Sequence, residues 1–278
     1  MIEVIFLFLI GLIWIIFASV QDVRTREVAN WISFSLIIFA LGFRFFYSLF
    51  NNEFNFFYQG LIGFLIFFAL GNLLYYARMF AGGDSKLMQA MGPVLGFSLI
   101  FAENLKFYLI FFFLFLFSGA IYGLVMTVVI SLKNKKLFRK GFKEYFRKSK
   151  KMVYFISGIG VAVCALGFYY PVLFSLGIII LLFPYFYLLA KVVDNYCMVK
   201  RIKSKDLTEG DWLNSEMKVA KRVINPTWDG LSISEIRLLK KKYKYVKIKQ
   251  GIVFVPVFLV SYLVYFYVYI TGLANSLF

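Results

Sequence analysis

The chain has 278 residues, 62% of them hydrophobic, with 36 Phe, 19 Tyr and a formal net charge of +17. A soluble domain of this size cannot hide so much apolar surface, so the chain reads as a polytopic membrane protein whose clustered cations set topology rather than bind nucleic acid. Histidine is absent and the two cysteines, Cys164 and Cys197, form no C-x-x-C pair, which excludes a His/Cys zinc site, a His-ligated haem, a Ser-His-Asp triad and a Cys-His dyad.

Spanning helices need about 17–25 mostly apolar residues. Runs at 3–20, 31–50, 57–77, 87–102, 106–132, 152–170, 172–190 and 252–273 are the candidates. The expected fold is all-α and polytopic, with about eight transmembrane helices (six to eight). The first run, Val4 to Val20, lacks a basic leading region and an A-x-A site, so it reads as a retained helix rather than a signal peptide. The fourth is short and carries Gly92-Pro93 and Gly96, which predicts a kinked or partial span. The sixth and seventh meet at the break Tyr169-Tyr170-Pro171. In the last run, Pro256 predicts a kink near the inner end.

Charge orders these runs. Segments 21–30, 78–86, 133–151 and 191–250 hold 2, 2, 10 and 15 Lys/Arg, which is 29 of the 31. Placing them in the cytoplasm leaves only Arg44 and Lys106 near outer ends, and puts both termini outside. The expected organisation is membrane helices carrying two aspartates over 1–132, a basic cytoplasmic loop 133–151, a transmembrane hairpin 152–190, a small cytoplasmic segment 191–250 and a C-terminal transmembrane helix 251–278. Within 191–250, Ser232 and Glu235 have capping-box spacing and predict a helix running on through Leu238–Tyr243.

Two acids stand out by position. Asp22 lies at the inner end of the first predicted helix and Asp84, after Gly82 and Gly83, at the inner end of the third. Carboxylates at the hydrocarbon edge are costly and usually functional. Held close, two carboxylates share one proton near neutral pH; one then activates water while the other polarises a carbonyl. That is aspartyl-protease chemistry, and it requires no cofactor or metal. Gly82 and Gly83 suit backbone with φ > 0 and close approach of an extended strand, or simply a helix–loop break. Lys86 and Arg24 either tune the aspartates and hold a substrate carbonyl or serve as positive-inside anchors. Asn30 and Trp31 read as a cap and an interfacial aromatic, and Asp194 is the rival partner for Asp84.

The stretch Asp22–Asn30 (DVRTREVAN) resembles the first aspartate motif of type IV prepilin peptidases, and Ala81–Leu87 (AGGDSKL) resembles their second, G-x-G-D followed by Lys. Presenilin-type membrane proteases share that second motif. Leu207–Leu213, Gly230–Ile236 and Gly251–Leu259 look like the C-terminal part of archaeal members, including preflagellin peptidases. Two departures are evident: Ala81 replaces the first glycine, and the cysteine-based cytoplasmic domain of bacterial members, with its N-methyltransferase activity, has no counterpart.

The resemblance implies a multi-pass enzyme of the cell membrane with its active site at the cytoplasmic face. Its partners are the lipid bilayer and prepilin or preflagellin (archaellin) precursors bearing short basic leaders. Such a leader meets a basic face here, which Glu27, Glu209 or Asp211 would offset. Two other readings compete. An ion-coupled transporter with functional intramembrane carboxylates needs ionisable groups near mid-bilayer, where these helices hold almost none. A lipid-phosphate enzyme needs a D-D-x-x-D cluster or a phosphate-cradling glycine loop, and neither occurs.

Overall fold

The computed structural model describes residues 2–219 and 222–273, so the last five residues of the expected C-terminal helix lie outside it. Its helices are α1 (Ile2–Thr25), α2 (Asn30–Asn51), α3 (Phe54–Tyr76), α4 (Gly82–Leu95), α5 (Phe101–Lys133), α6 (Lys135–Leu166), α7 (Pro171–Val192), α8 (Ile233–Lys242) and α9 (Pro256–Ile270). Short strands β1 (Val199–Lys203), β2 (Trp212–Leu213), β3 (Met217–Val219), β4 (Arg222–Ile224) and β5 (Tyr245–Lys249) fall between α7 and α9. Among the described residues, six helices are long and apolar enough to cross a membrane: α1, α2, α3, α5, α6, and α7 with the π-helical turn Val193–Cys197 that extends it. The chain is a polytopic, predominantly helical membrane protein. It divides into two compact units, one of residues up to Gly123 together with those from Ile252 onward, the other Leu124–Gly251.

In the first unit α4 is the innermost helix, with Leu87 through Leu95 all buried. It lies directly on α3, because glycines let the two backbones touch. A Cβ on Gly63 would sit 2.5 Å from the Gly92 carbonyl oxygen, one on Gly92 would collide with the Gly63 oxygen, and one on Gly71 would meet the Ser85 oxygen at 2.8 Å. The Ser85 hydroxyl donates to the Gly71 carbonyl at 2.9 Å, which fixes the register. The span expected at 87–102 is thus displaced: the helix begins at Gly82 and stops at Leu95. Its 14 residues are about 21 Å long, short of a bilayer core of roughly 30 Å.

The end of α4 is held by a buried cation. Arg44 of α2 has no exposed surface and donates to the carbonyls of Pro93 (2.7 Å), Phe56 (3.0 Å) and Gly96. Its guanidinium lies 4.4 Å over the Phe56 ring, in space that Gly60 leaves by lacking a side chain. Carbonyls at a helix C-terminus lack intrahelical partners and carry the negative end of the dipole, so a guanidinium fork satisfies both needs. Charge counting had placed Arg44 as an outer flank, yet it is a core residue. Tyr265 of α9 donates to the adjacent Leu95 carbonyl at 2.6 Å. α9 begins at Pro256, so the proline starts the helix rather than kinking it: at the first position no N–H is needed.

The second unit contains a hairpin of α6 on α7, again in glycine contact. A Cβ on Gly160 would lie 2.6 Å from Leu181 N, and one on Gly177 would lie 2.5 Å from Cys164 N. The basic stretch expected as a loop is helical from Lys135 onward. It contains no helix breaker, and an i,i+4 pair of Glu144 with Lys148 (2.8 Å) supports it. The rest of the unit is a small domain: an antiparallel sheet of order β1-β5-β2, a β3–β4 hairpin and α8, around Leu207, Leu213, Leu239, Val246 and Ile248. α8 starts at the capping box read from the sequence, with both reciprocal bonds of Ser232 and Glu235 formed. Gly210 (φ 90°) and Gly230 (φ 75°) both occupy left-handed backbone, and a Cβ on Gly230 would strike the Gly210 carbonyl.

Candidate active site

Asp22 lies in the last turns of α1 and is buried, 6% exposed. One of its carboxylate oxygens, Oδ2, accepts two backbone hydrogen bonds, from Phe254 N and Val255 N, each 3.0 Å. These donors stand at the mouth of α9, where the first N–H groups of a helix find no intrahelical acceptor and the dipole favours an anion. A carboxylate oxygen taking two N–H donors carries no proton, which leaves Oδ1 as the free proton acceptor. Phenylalanines 80 and 115 surround the Phe254 ring, with centroids 6.1 and 5.8 Å away, and keep this corner apolar.

Asp84 is the third residue of α4. Its carboxyl accepts a backbone hydrogen bond from Ala81, the reach-back from third position to N-cap that often opens a helix. Part of its surface stays open. Even so, crowding by protein and then the Asp22 charge raise the carboxyl from 3.8 to about 7, and the Ala81 bond opposes the rise only weakly. The charge of Asp22 therefore reaches Asp84, as a shared site requires.

The supporting residues fall differently. Gly82 and Gly83 are the first two helical residues of α4, so the expectation of φ > 0 does not hold. A Cβ on Gly82 would find nothing closer than Tyr75 at 4.0 Å, whereas one on Gly83 would lie 3.4 Å from the Val28 side chain. Gly83 thus sets the start of α4 against the α1–α2 connection. Lys86 donates to the Asn30 side-chain oxygen at 2.7 Å and ties α4 to the first residue of α2. Asn30 therefore serves as that anchor. The N-cap is Ala29, whose N–H donates to the Gln21 side chain at 3.1 Å.

Arg24 and Trp31 are exposed. Asp194 belongs to the second unit and is paired with Lys249 at 2.8 Å. Asp211 accepts from Thr208 N at 2.8 Å within its own turn. One residue near the site had no sequence signal: Tyr122 of α5 is half-buried and lies within the field of the Asp22 charge. It sits one turn beyond Gly119, where a Cβ would come 3.2 Å from the Phe254 ring.

The sequence profile of the type IV leader peptidase family matches residues 9–125, a stretch that contains both aspartates. This part of the chain is similar to the type IV leader peptidase family. The chain is also similar to curated archaeal proteins. The preflagellin peptidase of Methanocaldococcus jannaschii is 28% identical over 88 residues, 32% of this chain and 37% of that protein. The preflagellin peptidase of Methanococcus maripaludis is 31% identical over 87 residues, 31% of this chain and 37% of that protein. That of Methanococcus voltae is 29% identical over 86 residues, 31% of this chain and 36% of that protein. The chain spans just over a third of the length of each of these relatives. No solved structure matches it. The region matched to the leader peptidase profile supplies Asp22, Arg24, Gly82, Gly83, Asp84, Lys86 and Tyr122; the N–H donors that hold Asp22 come from beyond it.

Proposed function

We propose that the protein is a membrane aspartyl endopeptidase that removes the basic leader of a prepilin-like or preflagellin precursor at the cytoplasmic membrane face, with Asp22 and Asp84 as its catalytic pair. The observation that carries this reading is that the charge of Asp22 reaches the carboxyl of Asp84, an aspartate of a different helix, with both residues inside the region matched to the leader peptidase profile. The cytoplasmic placement draws its support from the 29 of 31 cations on one set of connections. There a precursor's hydrophobic helix stays in the bilayer while its leader junction reaches the aspartates.

The two carboxyls divide the work. Oδ1 of Asp22 takes a proton from water as the water oxygen bonds to the scissile carbonyl carbon. Asp84, protonated, gives its proton to the carbonyl oxygen, and a tetrahedral diol results. On collapse the C–N bond breaks, the leaving nitrogen takes the proton from Asp22, and Asp84 regains its proton from the diol. The N–H groups of Phe254 and Val255 hold Asp22 in place throughout, and Lys86 acts by fixing α4 rather than by touching substrate.

Cleavage of a leader-bearing precursor by membranes containing wild type, Asp22→Asn or Asp84→Asn, with and without EDTA, tests this reading. Cleavage by wild type alone, indifferent to EDTA, is expected. Cleavage by either variant would remove that aspartate from the mechanism. Nothing observed favours the transporter reading.

A further inference from the structure

A cavity in the small domain has no part in the proposed proteolytic site. It encloses about 540 Å³ and is lined by Lys203, Lys205, Lys240, Lys241, Lys242 and Lys244, together with Ser204 and Tyr243. No acid lines it, and none of the six lysines forms an ion pair among the described residues. Lys242 donates to the Lys218 carbonyl at 2.8 Å.

The convergence is built by the backbone. Ser204 N donates to the Lys244 carbonyl at 3.1 Å, and the buried Ser204 hydroxyl bonds to the Tyr243 carbonyl. Beside them Lys203 is paired with Tyr245 in the β1–β5 ladder. A helix C-terminus attracts cations, which accounts for lysines in the last turn of α8. It does not account for Lys203 and Lys205, which a separate segment brings to the same space. Like charges gathered this way repel one another, and a multivalent anion between them turns that repulsion into attraction.

We propose that this cavity is a binding site for a phosphate-bearing anion. Lysine is suited to the task, since its ammonium is a compact point charge that meets phosphate oxygens from any direction. The phosphate has two sources, the headgroup of an anionic phospholipid or a soluble phosphate compound. Both present the same chemistry to the lysines.

The test is lysine acylation read by mass spectrometry on the full chain, reconstituted in phosphatidylcholine vesicles. One arm adds inorganic pyrophosphate at matched ionic strength; the other replaces part of the lipid with phosphatidylglycerol. Lys136, Lys140 and Lys143 of α6 serve as internal controls, because simple screening slows their labelling as much as that of the cavity lysines. The expected result is selective protection of Lys203, Lys240, Lys241 and Lys244, about tenfold or more, as charge-assisted contacts of this kind would give.

Protection by pyrophosphate marks a soluble ligand, and protection only by phosphatidylglycerol marks a headgroup. The triple substitution of Lys240, Lys241 and Lys244 to Gln should weaken either interaction roughly a hundredfold at low salt. Equal slowing of the α6 and cavity lysines, or no protection in either arm, overturns the proposal.

Discussion

Asp84 binds its proton more tightly in the fold than in the unfolded chain, because burial and the Asp22 charge raise its carboxyl to about 7. Between the ordinary 3.8 and about 7 the folded state therefore holds the extra proton, and stability declines as pH rises through that window. Asp84→Asn removes the charge that the fold disfavours. On the alkaline side of about 7 the variant should unfold at a higher temperature than wild type, with the two converging in acid. Cleavage by wild type should fall on the same alkaline side, approaching tenfold per pH unit, since Asp84, the proposed general acid, has lost its proton. Tyr122 makes a separate prediction. If its hydroxyl works within the field of Asp22, Tyr122→Phe loses one hydrogen bond in the transition state, about 1.4 kcal/mol or tenfold in rate. Its melting temperature should not move, and an unchanged rate would remove it from the site.

Among the elements, α4 decides where Asp84, the proposed catalytic acid, sits, and its glycines are not equivalent. Gly92→Ala forces a methyl into the Gly63 carbonyl of α3, with backbone on both sides and nothing able to give way. Overpacking of this kind costs about 1–3 kcal/mol. Thermal unfolding should show it, with cleavage lost in parallel. Gly82→Ala meets only the edge of the Tyr75 ring, in relaxed contact at 4.0 Å, and gains helix propensity of at most about 0.5–1 kcal/mol. It should fold at least as well as wild type, so any loss of cleavage would report on the approaching substrate alone.

Helix starts and stops were legible where side chains write them. The Ser232–Glu235 box is the clear case, and the helices flanking Tyr170-Pro171 are another. Charge misled at 133–151, because the same lysines and arginines that mark a solvated segment are also good helix formers. The strands between α7 and α9 are two to five residues long, too short for an alternating pattern to stand out.

At the scale of the whole molecule, Arg44 joins α2 to the start of α3 and the end of α4 through three carbonyls. Arg44→Met keeps the bulk and strands those acceptors in a dry interior, at about 1–3 kcal/mol for each buried group left unpaired. Denaturant titration in lipid should register a loss well beyond that of an exposed Arg→Met change such as Arg24→Met. The sequence could place both aspartates because each sits at a hydropathy boundary. It could not show what holds them, because the donors to Asp22 are main-chain groups that every residue but proline possesses. Tyr122 was hidden for a different reason, as one of 19 tyrosines in a chain already rich in aromatic residues.

The grip on Asp22 spans 232 positions of sequence. A ribosome releases α1 early and the Phe254–Val255 corner only after some 250 residues have followed the start, so a nascent chain carries an unsupported aspartate for most of its synthesis. With Asp22 in the proposed catalytic pair, proteolytic competence would arrive only with the insertion of α9, and a partly made chain would leave the membrane proteins assembled around it uncut.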